Sequence, residues 1–164
     1  MDQKLYWKEK FLNYKDLVKE GKLKEEPKIR FDHIERLIRR SKKDLVTAKK
    51  LIDIDEGVAL TIIYDAMFHS ASALIRSQGY RPGYKSQHMG VIEAVKRTLG
   101  AEFELLIIKF NKLRINRNKF EYQAVFSMPK TQLLKALMDA KKFVSVIEKY
   151  VQEKNPQISF KFGD

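Results

Sequence analysis

The chain has 164 residues, of which 33 are Lys or Arg and 21 are Asp or Glu, so its formal net charge is +12. Its 44% apolar content suffices for the core of one domain, and the absence of cysteine excludes disulfide frameworks, cysteine zinc sites and thiol nucleophiles. The start of the chain, MDQKLYWKEKF, lacks the apolar run of a signal peptide, and no uncharged apolar stretch reaches the ~18 residues of a membrane helix. We therefore expect a cytoplasmic protein that does not enter a membrane.

The first half of the chain shows three helical patterns. An N-terminal helix is predicted by Trp7, Phe11, Tyr14 and Val18, with Gly21 just past its end. After the polar connection LKEEP, a second helix begins near Pro27, with an apolar stripe from Ile34 to Ile52. The third and most apolar helix follows a turn of Asp53, Asp55 and Gly57 that includes a capping residue, contains the run from Leu60 to Ile75, and ends at Gly79.

The second half continues in the same way. The sequence GYRPGYKS predicts a loop, and Ser86 is a candidate cap for a short helix that Gly100 ends. A further helix begins near Phe103, and a last long helix follows Ser127-Met128-Pro129 and ends at Asn155-Pro156. The fold class is therefore an all-α, antiparallel up-and-down bundle of about five core helices with an extra N-terminal helix. The predicted organisation is residues 1–27 for the N-terminal helix and connection, 28–154 for the bundle, and 155–164 for an extended tail.

The helix that begins near Phe103 breaks its own pattern. Its apolar stripe ends at Leu113, and the next positions on that stripe hold Arg114, Arg117, Asn118 and Glu121, with Tyr122 one turn beyond Asn118. Because unpaired charge is costly to bury, we expect this helix end to face a water-filled cleft, a partner or an internal ion-pair network. Three interpretations stay open: a solvated Arg117–Glu121 pair, an arginine–tyrosine network across a dimer interface, or a site for phosphate.

The remaining polar features are weaker signals. The basic face of the second helix, with Arg36, Arg39 and Arg40, is either solvated or part of a track for a polyanion. His69 is expected to be packed or hydrogen-bonded in the third helix, and His88 lies in the first turn of the short helix, where it is able to point into a cleft. Because no spacing typical of metal ligands occurs, we expect no metal and no other cofactor.

Three segments together resemble a known family. YDAMFHSASALIRSQG, KSQHMGVIEAV and LRINRNKFEYQ are similar, in order and spacing, to motifs of HEPN domains, the higher-eukaryote and prokaryote nucleotide-binding helical domains. The likeness covers about residues 28–154. It is greatest to the small prokaryotic HEPN proteins that are paired with minimal nucleotidyltransferases.

The resemblance implies a five-helix bundle, usually a homodimer, and in active members a metal-independent endoribonuclease whose motif is R-x(4–6)-H. The arginine of that motif falls on Arg117, the polar residue after it on Asn118, and the histidine position on Tyr122. Arg114, Arg117, Lys119 and His88 are the residues expected to bind nucleic acid. Tyr122 departs from the pattern, because this position holds a tyrosine instead of a histidine. The departure matters for catalysis, since a phenol with a pKa near 10 is a poor base at neutral pH.

The resulting hypothesis is a HEPN-like protein that binds RNA or a nucleotide and forms a toxin–antitoxin-like pair with a minimal nucleotidyltransferase. It is an enzyme only if the altered motif still cleaves RNA. The alternative is a non-catalytic helical interaction module whose arginine–tyrosine cluster is dimer-interface architecture. A third interpretation is nucleic-acid binding by the basic helix faces alone.

Overall fold

The computed structural model describes residues 14–156, so the predictions that rest on Trp7, Phe11 and the tail beyond Pro156 lie outside the described part. The prediction of an all-α helical bundle is confirmed. Six α-helices and two short strands follow one another along the chain, with one 3-10 turn at Ala101–Phe103. The elements are α1 (Lys15–Lys19), β1 (Leu23–Glu25), α2 (Phe31–Leu51), α3 (Glu56–Ser77), β2 (Tyr80–Pro82), α4 (Gln87–Leu99), α5 (Glu104–Gln123) and α6 (Lys130–Lys154).

Helix α3 is the centre of the bundle. It packs against α2, α4, α5 and α6, and its large side chains Ile63, Tyr64, Met67 and Leu74 are fully buried. Among the described helices, α3 alone is long and apolar enough to cross a membrane by length and composition, with a hydropathy of 1.5, but 67% of that stretch is buried by its neighbours. Burial of this size is what the central helix of a bundle requires.

Local sequence signals explain several of the helix ends. The side chain of Asp55 accepts a hydrogen bond of 3.0 Å from the Val58 N–H, so Asp55 is the capping residue of the predicted turn before α3. Gly79 and Gly100 adopt positive φ angles of 87° and 81° directly after helices, as glycine does at a helix end. Ser86 occupies the N-cap position of α4, as predicted, but its backbone is left-handed and its side chain makes no capping hydrogen bond.

The two polar connections near the start of the chain and after α3 are not simple loops. Strands β1 and β2 pair antiparallel, with Leu23 opposite Pro82 and Glu25 opposite Tyr80. The ladder continues through the Gly83 N–H, which donates to the Lys22 carbonyl over 2.8 Å. A strand of three residues carries too few positions for an alternating pattern, which is why periodicity did not reveal this pairing.

We predict that Gly90→Ala destabilises the fold by about 1–3 kcal/mol, because overpacking a tight contact forces backbone shifts. A Cβ atom at Gly90 of α4 would lie 2.7 Å from the Lys22 carbonyl oxygen, on the turn that leads into β1. Urea unfolding measures the effect, with the exposed Lys96→Ala on the same helix as a control that changes stability by less than about 0.5 kcal/mol. Equal stabilities for the two variants would contradict the tight contact.

Candidate functional site

One strip of α3 is left partly open by the helices around it. Ile62, Asp65, Phe68 and His69 lie on this strip and are half-buried, whereas the residues between Ile62 and Phe68 other than Asp65 are buried. Arg117 of α5 and His88 of α4 border the strip on one side, and Asp44 of α2 borders it on the other. We call this surface the α3 groove; it contains most of the candidate residues.

Arg117 is the cation of the α3 groove. Its side chain is only 18% exposed, and its guanidinium carbon lies 5.7 Å from the centre of the Tyr64 ring. Glu121, one turn later, pairs with its Nη1 over 3.1 Å, whereas its buried Nε has no hydrogen-bond partner in the described structure. An unpaired buried N–H costs free energy, so this guanidinium is an incomplete anion site.

Tyr64 connects Arg117 to His88. The Tyr64 hydroxyl lies 2.8 Å from His88 Nδ1, and the centre of the His88 ring lies 4.5 Å from that of the half-buried Phe68 ring, with the two planes tilted by 36°. Burial lowers the pKa of His88, and the charges of Arg117 and Arg114 lower it further. Burial also raises the pKa of the Tyr64 phenol. His88 is therefore neutral at physiological pH, and the pair offers a neutral, aromatic wall beside the guanidinium.

The other predicted residues of α5 are divided between two faces. Arg114 is half-buried and donates from Nε to Asn111 Oδ1 over 3.0 Å, and Asn118 Oδ1 lies 3.5 Å from Arg117 Nη1. Lys119 is exposed, and Tyr122 is 79% exposed. Five residues turn an α-helix through about 140°, so Tyr122 points away from the groove that holds Arg117.

A second polar group lies across the groove. Asp44 is almost completely buried, and its Oδ2 lies 2.8 Å from His69 Nδ1. Arg40 Nε lies 2.8 Å from the other oxygen, close enough for an ion pair although the geometry is not that of a hydrogen bond. The expectation that His69 is hydrogen-bonded is confirmed, and its partner comes from the neighbouring helix.

Asp65 lies between the two polar groups. Burial raises the pKa of its carboxyl; the negative charges of Asp44 and Glu121 raise it further, whereas the interactions with His69 and Arg117 lower it. The groove therefore combines the carboxylates of Asp44, Asp65 and Glu121 with Arg117 and two histidines. Within residues 14–156, no three His, Cys, Asp or Glu side chains are grouped so that they could hold a metal ion.

Two other concave surfaces lie outside the groove. A cleft of about 430 Å³ is bordered by α1, α4 and α5, with Asp16, Glu93 and Arg97 on its walls. A second of about 300 Å³ lies between α5 and α6 and carries Lys109, Lys112 and Lys135. Among residues 14–156, no cation lining either cleft has a buried N–H without a partner, as Arg117 has, so the α3 groove is the better candidate on chemical grounds.

The comparison with known families agrees with the fold. The family model described as HEPN domain matches residues 34–150, which is well over half of the chain. This protein therefore belongs to the HEPN domain family. No curated protein is similar enough to count as a match.

Sequence reasoning missed Asp44 and Asp65 as members of the site. A signal for Asp44 was present: it is adjacent to the apolar stripe of α2, where Ser41, Leu45 and Ala48 are also buried. A carboxylate at such a position needs a partner from another helix. Asp65 carries a similar signal, since it is an acidic residue inside the most apolar helix.

We predict that Asp65→Asn raises the melting temperature at pH 7 and has little effect at pH 4. Because the folded pKa is raised, the native state holds this proton more tightly than the unfolded chain, and stability falls as pH rises above the ordinary carboxyl range. The Asp65→Asn substitution removes the charge, so it restores the lost free energy of unfolding only at pH values at which the Asp65 carboxyl is ionised. Thermal unfolding at both pH values tests this, with the exposed Asp53→Asn as control. A lower melting temperature at pH 7 would show that the Asp65 charge stabilises Arg117 and His69.

Proposed function

We propose that this HEPN protein binds RNA or a nucleotide in the α3 groove and forms a cytoplasmic toxin–antitoxin-like pair with a minimal nucleotidyltransferase. The observation that carries the proposal is the Arg117 guanidinium, which is held against Tyr64 with one buried N–H unpaired. A phosphate oxygen satisfies such a donor through a charge-assisted hydrogen bond. The net charge of +12 attracts a polyanion to the surface.

The aromatic side of the groove supports a nucleic-acid ligand rather than a free anion. Phe68 and His88 present two half-buried rings in contact with each other near Arg117, and an unpaired base stacks favourably on aromatic rings. Arg114, one turn before Arg117, would contact a neighbouring phosphate, and Asn118 would orient Arg117 or donate to the ligand. The exposed Lys119 would add attraction without specificity.

Tyr122 has a different role in this proposal. Its exposed phenol lies away from Arg117, so it is accessible to a partner enzyme that transfers a nucleotidyl group to a hydroxyl. Because it points away from the α3 groove, the Tyr122 phenol is unsuited to transfer a proton to or from an RNA bound in that groove of the same chain. If the protein is an endoribonuclease that needs no metal, the proton acceptor has to be another residue.

We predict that Arg117→Ala weakens RNA binding about 10- to 100-fold, as expected for the loss of one hydrogen-bonded charge. The assay is a gel shift with labelled total RNA in EDTA, with cleavage products followed in parallel. Arg39→Ala, on the exposed face of α2 where Arg39 pairs with Glu35, is the charge-matched control. The salt dependence of binding should also decrease by about 0.7 in slope for a lost single-strand phosphate contact.

Equal losses for Arg117→Ala and Arg39→Ala would favour binding by the basic faces and contradict a specific groove. Each arginine of the α2 face already lies beside a carboxylate, with Arg36 on Asp32 over 3.0 Å and Arg40 on Asp44 over 2.8 Å. Arg117 also pairs with a carboxylate, that of Glu121, but its buried Nε has no partner in the described structure. We therefore expect Arg39→Ala to weaken RNA binding less than Arg117→Ala does.

We predict that Glu121→Gln strengthens RNA binding about 2- to 5-fold. In the free protein the Glu121 carboxylate occupies Arg117 Nη1 over 3.1 Å, and a phosphate has to compete with it. Half-exposed ion pairs are worth up to about 1 kcal/mol, which sets the size of the gain. Glu102→Gln makes the same charge change at an exposed position outside the groove, and an equal gain there would show only a general electrostatic effect.

The alternative function, a non-catalytic interaction module, is favoured by a separate observation. Leu105, Ile108, Ile115 and Tyr122 are exposed and lie on one face of α5, turned away from the groove. We propose that this face contacts a second copy in a homodimer. If Arg117→Ala abolishes the dimer in analytical ultracentrifugation, the arginine cluster is architecture; if the dimer persists while RNA binding is lost, the groove is a binding site.

A further inference from the structure

The Asp44–His69 pair joins a buried carboxylate to a partly exposed imidazole, and RNA binding alone does not require it. Asp44 is 1% exposed and lies on α2, whereas His69 is 32% exposed and lies on the open strip of α3. The carboxylate oxygen accepts a hydrogen bond from Nδ1 over 2.8 Å, and Arg40 lies against the other oxygen. A carboxylate buried in this way is retained at a cost in solvation, so its orientation is tightly defined.

This arrangement fixes the tautomer of the neutral imidazole. Because an ionised carboxylate only accepts hydrogen bonds, Nδ1 carries a proton, and in the neutral ring the lone pair is then on Nε2. No residue in the described part of the chain binds Nε2. A histidine with its Nδ1–H on a buried carboxylate and its Nε2 open is the arrangement of a general base.

The two alternative bases are less suitable. His88 already uses Nδ1 to contact the Tyr64 hydroxyl, and burial together with Arg117 and Arg114 lowers its pKa. Tyr122 lies on the other side of α5. His69 shares the groove with Arg117, because the Arg117 guanidinium carbon lies 5.7 Å from the centre of the Tyr64 ring and His69 follows Tyr64 by little more than one turn of α3, on the half-buried strip.

We propose that His69 is the general base of a metal-independent RNA cleavage in the α3 groove and that Asp44 is its positioning residue. The proposal rests on the function proposed above and names the base that the altered HEPN motif lacks. Nε2 removes the proton of a ribose 2′-hydroxyl, and the 2′-oxygen forms a bond to the adjacent phosphorus. The bond from phosphorus to the 5′-oxygen breaks, and that oxygen takes a proton from water.

The products are a 2′,3′-cyclic phosphate and a 5′-hydroxyl end, and His69 returns its proton to solvent. No oxidation occurs and no metal is consumed or needed in this step. Arg117 holds the phosphate oxygens, on which negative charge increases in the transition state.

The test uses the full chain with His69→Asn, assayed on labelled single-stranded RNA in EDTA. The asparagine Nδ2 takes the place of imidazole Nδ1 and keeps the hydrogen bond to Asp44, so the fold is preserved while the base is removed. We expect the cleavage rate to fall about 10²- to 10⁴-fold with RNA affinity and melting temperature unchanged. His33→Asn, at the start of α2 and outside the groove, is the matched control and should cleave like the wild type.

Two further variants separate chemistry from structure. His69→Ala should recover part of its cleavage when free imidazole is added, and absence of recovery in the folded variant would contradict a role in proton transfer. Asp44→Asn should lower kcat with little change in KM, whereas a merely structural role would lower stability and affinity together.

Equal cleavage by wild type and His69→Asn would overturn the inference. Absence of cleavage by the wild type would overturn it too, and the gel shift then decides the fate of the broader proposal. RNA binding that depends on Arg117 would leave the binding function standing, whereas absence of both cleavage and binding would remove both.

Discussion

Most of helix α3 is buried, because α2, α4, α5 and α6 all pack against it. This burial supplies the apolar driving force for the bundle, and it constrains every polar group that the helix carries. Tyr64, Asp65 and His69 belong to that helix. Tyr64 contacts His88 of α4, Asp65 is influenced by the charge of Arg117 of α5, and His69 pairs with Asp44 of α2. The chemistry of the molecule is therefore located where the packing of the central helix is incomplete.

A site on a central helix is a rigid site. The side chains of the α3 groove come from four helices that share one core, so their relative positions do not depend on loops. Arg117 is held by an aromatic face and a carboxylate, and His69 is held by a buried carboxylate from α2. Preorganisation of this kind reduces the cost of ordering charged side chains when a ligand arrives.

How much of this was visible in the sequence depended on the range of the signal. Arg117 could be found because it interrupts an apolar stripe, and helical periodicity is a local property. The pairing of Asp44 with His69 could not be found in the same way, because it depends on the register between α2 and α3. Tyr122 was grouped with the arginines through motif spacing, yet five residues along a helix lead to another face. The pairing of β1 with β2 could not be predicted from periodicity, because each strand has only three residues.

The β1–β2 ladder also affects the order in which the parts of the site form during folding. The Asp44–His69 contact joins two consecutive helices, whereas β1 and β2 join segments far apart in the chain, and a large loop has to close before they pair. Contacts between neighbouring helices form early, and long-range strand pairs form late. The α2–α3 side of the groove should thus be in place while the start of α4, with His88, is still being positioned. A nascent chain would carry the histidine–carboxylate pair before it carries the complete groove.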